Sequence, residues 1–318
     1  MHILNKQNIE KCIHPEGLIE AVRKVFIIYE SDDFLMPDRM HVDTNDNTLL
    51  LMPAFAKKYF GTKLVSVFPD NVKKNEPVIY GTMVLNDAQT GRPLAVIDGS
   101  SLTAHRTGAV GGLAAKTLAN SDMRILGIVG AGVQSFHQAL YICQTIDIDE
   151  LFIFDIHPEK ARKWVLALKK KVRLRITIAE DTNELCEKSD IIVTATTSNK
   201  PVLPNHQDLF RHKLILAFGS YKPDMKELPD AVFKNAQIFT DTDFAKVESG
   251  DLAQPLKNGL ITETQIRPLA KVLNKEIEAD YSKTIIFKSV GMALFDIMVS
   301  SYIYDEAISK QLGTDVDF

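Results

Sequence analysis

The sequence predicts an α/β protein, with a Rossmann-type doubly wound parallel sheet domain joined to a smaller α+β domain. Three observations lead there. Arg124-Ile-Leu-Gly-Ile-Val-Gly130-Ala-Gly132-Val-Gln-Ser135 reads as a buried strand, a glycine turn and the start of a helix. From Met123 onward, apolar strand candidates alternate with helical stretches across short loops, the pattern of a parallel sheet. Before that point the strand candidates lie close together, joined by Gly, Asn and Asp turns, which indicates antiparallel pairing. At 318 residues the chain exceeds one small core, so two domains are expected.

In chain order, a helix is expected around Gly17 to Tyr29, then strands at Leu49–Met52, Gly61–Phe68 and Ile79–Leu85. Asp87-Ala-Gln-Thr-Gly91 makes a turn into Leu94–Ile97. Thr103 is an N-cap candidate for a helix running to about Ala119, with Gly108, Gly111, Gly112, Ala114 and Ala115 forming a small-residue face suited to close packing. The second domain's strands are expected near 124–129, 151–154, 174–178, 190–195, 213–218 and 237–240, with a long amphipathic helix starting after about 284. The first domain lacks a helix to cover its sheet, so the C-terminal helix is expected to return to it. The resulting division is 1–118 with 285–318, and 119–284.

The glycine turn carries the first functional expectation. Gly130 permits the tight turn, and Gly132 removes a side chain that would hold a pyrophosphate away from the backbone N–H groups of a helix N-terminus. Ser135 stands where the fingerprint has its third glycine. A second strand, Leu151-Phe-Ile-Phe154, ends in Asp155, 25 residues after Gly130, where a carboxylate accepts hydrogen bonds from a ribose diol. The alternative is a packing glycine pair, with Asp155 capping the helix that begins at Pro158. A carboxylate at 155 repels a 2′-phosphate and only Ile156 and His157 follow it, so NAD(H) is favoured; His157 and Lys160 leave NADP(H) open.

Composition narrows the partners. Hydrophobic residues make up 45% and charged residues 25%, an ordinary globular balance, and a net charge of −4 gives no reason to expect nucleic acid or an anionic membrane. Cys12, Cys143 and Cys186 match no metal spacing, no histidine stands in a ligand pattern, and no metal is expected. An odd cysteine count without a signal peptide suggests a reduced, cytoplasmic compartment. The apolar stretch Thr284 to Tyr304 carries Lys288 and Asp296, which reads as a buried helix rather than a membrane span.

Two cations draw attention. Arg106 falls in the first turn of its expected helix, where the macrodipole disfavours a cation by roughly 0.3–1 kcal/mol. It would face the cleft between domains and bind a carboxylate bidentately, or else form an interdomain salt bridge. Lys63 shares a strand face with Val65 and Val67, so it is either an edge residue whose stem snorkels or a desolvated amine of lowered pKa, usable as acid or base. Arg39, in Met-Pro-Asp-Arg39-Met, has no local signal beyond that of a loop arginine.

These stretches together resemble the ornithine cyclodeaminase/mu-crystallin family over nearly the whole chain. The likeness is carried by Met-Pro-Asp-Arg39, Gly61-Thr-Lys63, Thr90-Gly-Arg-Pro, Leu102-Thr-Ala-His-Arg106-Thr-Gly, Gly130-Ala-Gly-Val-Gln134, Gly219-Ser-Tyr-Lys-Pro-Asp-Met-Lys-Glu227-Leu, Glu248-Ser-Gly and Phe287-Lys-Ser-Val-Gly291. The resemblance implies a homodimer formed through the non-Rossmann domain and a bound NAD(P). It also implies that Arg39, Lys63 and Arg106 meet the substrate's carboxylate or reacting carbon, with Val290 beside the substrate and Lys63 catalytic. Cofactor contacts are implied for Arg106, Gly130, Gly132, Val133, Gln134, Asp155, Thr196, Thr197, Gly219, Ser220, Tyr221 and Ser289.

One departure bears on activity. The family's cyclodeaminases and archaeal alanine dehydrogenases resemble each other in an aspartate at the slot that Tyr221 fills in Gly219-Ser-Tyr221-Lys-Pro223-Asp224. Tyrosine, with its high reference pKa, replaces a carboxylate poorly as an acid/base group, and Asp224 compensates only if the loop folds differently. The expectation is therefore an NAD(P)H-dependent reductase of a small cyclic imino acid such as Δ1-pyrroline-2-carboxylate. The rivals are ornithine cyclodeamination, alanine dehydrogenation, and non-catalytic binding of nucleotide and a small ligand.

Overall fold

The computed structural model describes residues 1–31 and 33–317. The chain divides into two compact units, Met1–Arg106 with Met292–Phe318, and Thr107–Gly291. The first unit begins with β1 (His2–Leu4), α1 (Lys6–Cys12) and α2 (Pro15–Glu30). Strands β2 (Phe34–Leu35), β3 (Met40–Thr44), β4 (Asn47–Ala56), β5 (Tyr59–Val67), β6 (Ile79–Asp87) and β7 (Pro93–Asp98) follow, leading into α3 (Gly99–Leu118). Helix α3 starts four residues earlier than Thr103. Asp98 accepts the Ser101 N–H at 2.7 Å, and the Thr103 hydroxyl donates back to the Gly99 carbonyl at 2.7 Å. Thr103 is thus inside the helix and Arg106 is beyond its first turn, which removes the dipole argument that singled Arg106 out.

The second unit runs β8 (Ile125–Val129), α4 (Val133–Thr145), β9 (Glu150–Phe154), α5 (Pro158–Leu168), β10 (Arg175–Ile178), α6 (Thr182–Lys188), β11 (Ile191–Thr194), β12 (Leu214–Ala217) and β13 (Ala236–Thr240). It continues through α7 (Ala245–Glu248), α8 (Gly250–Lys257), β14 (Ile266–Pro268), α9 (Leu269–Leu273) and β15 (Thr284–Lys288). The strands pair entirely in parallel, in the order β10-β9-β8-β11-β12-β15-β13-β14. This is the doubly wound sheet expected, with the order reversing between β8 and β11. Close packing of its first helix uses the small face of α3: a methyl at Gly108 would lie 2.7 Å from the His137 carbonyl oxygen, and one at Gly112 3.1 Å from Tyr141.

The region after 284 differs from expectation. It is a buried strand, β15, between β12 and β13, and only then α10 (Ala293–Ser309) and β16 (Thr314–Asp315). A five-residue apolar run followed by an apolar helix carries no period that separates the two, so the sequence merged them. Because β15 is central in the second sheet, the second unit extends to Gly291 rather than 284, and the other boundary falls at Arg106, inside α3, rather than at 118. Nor is α10 amphipathic. It is buried almost all round from Ala293 to Ile303, packing on α2 and on strands β4, β5 and β6. No helix among the described residues is long and apolar enough to cross a membrane.

The first unit's sheet has the order β16-β1-β7-β6-β5-β4-β2, with β3 also on β4; apart from the β1/β7 pair it is antiparallel. Alternation puts Met52, Ala54, Lys63, Met83, Leu85, Ala95 and Ile97 on one buried face. Helices α2 and α10 supply the apolar partners, and Phe26 and Phe295 meet edge to face at 5.4 Å.

Candidate active site

In the first unit, Lys63 stands mid-sheet on β5, opposite Met52 on β4 and Met83 on β6. It is 2% exposed, so the reading of a snorkelling edge lysine is overturned. Its Nζ donates to Asp296 Oδ2 at 2.8 Å, and Arg106 Nε donates to the other oxygen, Oδ1, at 3.2 Å. Asp296 itself is 1% exposed on α10. Burial pulls the Lys63 amine down to a pKa of about 8; Asp296 opposes that shift, while the charges of Arg106 and Arg39 add to it. Lys63 and Arg106 thus share one carboxylate, which leaves their pair of cations with a net positive charge suited to a substrate anion. Sequence reasoning found Lys63, Arg106 and Arg39 but missed Asp296. A lone carboxylate inside an apolar helix was a signal, but its partner lies 233 positions away.

In the second unit, the residues expected to contact a dinucleotide all follow the C-terminal ends of sheet strands. Gly130, Gly132, Val133 and Gln134 follow β8, and Asp155 follows β9. Thr196 and Thr197 follow β11, Gly219, Ser220 and Tyr221 follow β12, and Ser289 follows β15, next to Val290, which was expected beside the substrate. This is the edge at which doubly wound sheets bind ligands. Gly130 has φ +101°, and its N–H donates to the Phe154 carbonyl at 2.8 Å. Gly132 is the N-cap of α4, in an extended conformation open to any residue, and a methyl added there would meet nothing within 4 Å. Neither backbone conformation nor packing demands a glycine at 132. What the missing side chain preserves is free space at a helix N-terminus, and that fits a pyrophosphate.

Asp155 is part-buried and accepts the Ala131 N–H at 2.7 Å and the His157 N–H at 2.8 Å. It therefore ties the glycine turn to the end of β9, and the lone pairs left on its two oxygens suit a ribose diol. Ser135 replaces the third glycine because its hydroxyl turns inward, donating to the Gly132 carbonyl and accepting from Trp164 Nε1. Two other hydroxyls are also committed to the protein. Ser220 Oγ donates to the Met225 carbonyl at 2.9 Å and sits 2.9 Å from Ser249 Oγ, and Ser289 Oγ donates to Asp241 Oδ2 at 2.6 Å. Their hydroxyl protons are used within the protein, so any side-chain part they play in binding is as acceptors. Tyr221 is 39% exposed and Asp224 is exposed.

A family model described as ornithine cyclodeaminase/mu-crystallin matches residues 1–311. The chain belongs to that family. Within it, the Δ1-pyrroline-2-carboxylate reductase of Bacillus cereus is 34% identical over 328 aligned positions, covering 100% of both chains. The solved structure of Thermococcus litoralis Δ1-pyrroline-2-carboxylate reductase in complex with NADH and L-proline has a TM-score of 0.93 at 33% identity, covering 99% of this chain and 100% of that one. An archaeal alanine dehydrogenase dimer with bound NAD gives 0.92 at 29% identity, covering 100% and 99%. The family assignment agrees with the motifs read from the sequence and with the α/β architecture.

Proposed function

We propose that the chain is an NADH-preferring oxidoreductase that reduces a small cyclic ketimine carboxylate, Δ1-pyrroline-2-carboxylate, to L-proline. The observation that carries this reading is the buried Lys63–Asp296–Arg106 cluster, with an amine whose pKa burial lowers to about 8. The likeness to pyrroline-2-carboxylate reductases supports the substrate class. When bound, the dinucleotide supplies a hydride. Arg39 and Arg106 hold the substrate carboxylate. Arg106 Nε is committed to Asp296, so its terminal amino groups form the fork. Lys63 delivers a proton to the imine nitrogen, which makes the C=N carbon a better acceptor, and it recovers that proton from solvent after turnover. Asp296 keeps the amine oriented.

Cyclodeamination is disfavoured because Tyr221 fills the aspartate slot and Asp224 is exposed. The deciding assay follows NADH and NADPH oxidation with pyrroline-2-carboxylate, piperideine-2-carboxylate, and pyruvate plus ammonia, beside ornithine plus NAD. Clear oxidation with a cyclic ketimine and negligible ammonia from ornithine is expected; robust ammonia release would overturn the reading.

Asp155 sets the cofactor preference. Asp155→Ala should weaken NADH binding by roughly 1–3 kcal/mol, through the loss of a charged hydrogen bond to the ribose, with NADPH affected less or improved. Fluorescence titration of both cofactors measures this, and strong wild-type discrimination for NADPH would refute the assignment.

The chain is also proposed to be a homodimer through its first unit. The outer face of that sheet carries Met40 (57% exposed), Val42, Leu49 and Tyr80 in adjacent rows set by the strand register. Such a face calls for cover, and a second copy of the same sheet supplies it. Light scattering should give twice the 35.5 kDa chain mass, and a strictly monomeric protein at micromolar concentration would exclude this.

A further inference from the structure

We propose that Glu227 is a positioning residue of the dinucleotide site, a buried carboxylate that clamps the ends of β11 and β12. The inference rests on the reading of those strand ends as the place where NADH binds. Glu227 is 0% exposed. Its Oε1 accepts the Thr196 N–H at 2.6 Å and the Thr196 hydroxyl at 2.8 Å; Oε2 accepts the Gly219 N–H at 2.7 Å and the Thr194 hydroxyl at 2.9 Å. Each oxygen thus faces one backbone N–H, which can only donate, so the carboxylate form suits the pocket although burial and Asp251 push its pKa up. Gly219 permits the contact: a methyl there would lie 2.2 Å from the Thr196 carbonyl oxygen and 2.3 Å from Glu227 Oε1.

The clamp is itself anchored. Asp251 Oδ1 accepts the N–H groups of Glu227 and Leu228 at 2.7 and 2.9 Å, and Lys288 Nζ on β15 donates to Asp251 Oδ2 at 3.1 Å. Lys288 is fully buried. Three neighbouring strands are therefore joined at their C-terminal ends by Glu227, Asp251 and Lys288. Glutamine cannot replace Glu227 here, because in either orientation its amide NH₂ would point at the N–H of Thr196 or of Gly219.

The test compares Glu227→Gln with Asp190→Asn. Asp190 accepts the Arg124 and Ile125 N–H groups at the opposite end of the same sheet and serves as a structural control. Fluorescence titration well below either melting temperature should show NADH binding roughly tenfold or more weaker in Glu227→Gln and unchanged in Asp190→Asn. Hydrogen exchange on the NADH-free protein should be faster at the Thr196 and Gly219 amides in Glu227→Gln than in wild type. If that variant does not fold, Glu227→Asp keeps the charge but retracts it by one methylene, and it should lose affinity in the same direction. Wild-type NADH affinity in a folded Glu227 variant, with a lowered melting temperature alone, would overturn the inference. Absence of NADH binding by wild type would overturn the dinucleotide reading, and the inference with it.

Discussion

Lys63→Met is expected to slow ketimine reduction by about 10²–10⁴-fold, the range for loss of general acid assistance. Methionine keeps most of the stem's packing beside Met52 and Met83 and removes only charge and proton. Affinity for NADH should stay near normal, because apart from Arg106 the residues assigned to it belong to the second unit. The wild-type rate should fall as pH rises through about 8, where Lys63 loses its proton, and the variant should lack that limb. Stability carries the opposite sign. The folded pKa lies below the unfolded value of 10.5, so the unfolded chain binds more protons between about 8 and 10.5. The penalty of burying charged Lys63 is complete below 8 and is relieved as pH rises toward 10.5. Urea titrations of wild type and Lys63→Met across that window should converge on, or cross to, a relatively more stable wild type. Wild-type turnover in Lys63→Met would return Lys63 to a structural role.

Asp296→Asn should have the largest effect on stability, a loss of about 3–5 kcal/mol near pH 7, because it leaves Lys63 and Arg106 buried without their counter-charge. The fold relieves part of this by releasing the Lys63 proton. The alkaline limb of the rate should therefore move down by about 1–3 pH units, the range for one adjacent opposite charge. Arg106→Gln removes a neighbouring cation and should move the same limb upward. Chemical denaturation at pH 7 and a pH–rate series on the three proteins decide the matter. A limb that stays in place in Asp296→Asn, with stability within about 1 kcal/mol of wild type, would show that Asp296 does not set the state of Lys63.

The glycine turn, the second-domain strands up to β13 and the hairpins of β4 to β7 were legible in the sequence because each depends on neighbours in the chain. A turn needs its own glycine, the hairpin strands show their faces by alternation, and the strands up to β13 are short apolar runs set apart by helices and turns. The start of α3 was misplaced because Thr103 is a good cap by composition, yet Asp98 is the residue whose carboxylate reaches a helix N–H. Strand β15 was merged with α10 because a continuous apolar run has no period to distinguish the two.

The sequence by itself determined the cofactor fold, the acid after β9, and the lysine and arginines that family motifs mark for the substrate. Only the tertiary structure decided what state those cations are in. Asp296 meets Lys63 across 233 positions, and Glu227 joins Thr196 to Gly219 across two strand ends. The reason is physical. A pKa or a clamp depends on which charges and donors come within a few ångströms in a dry interior, and residues far apart in the chain meet there through packing, which local pattern does not encode.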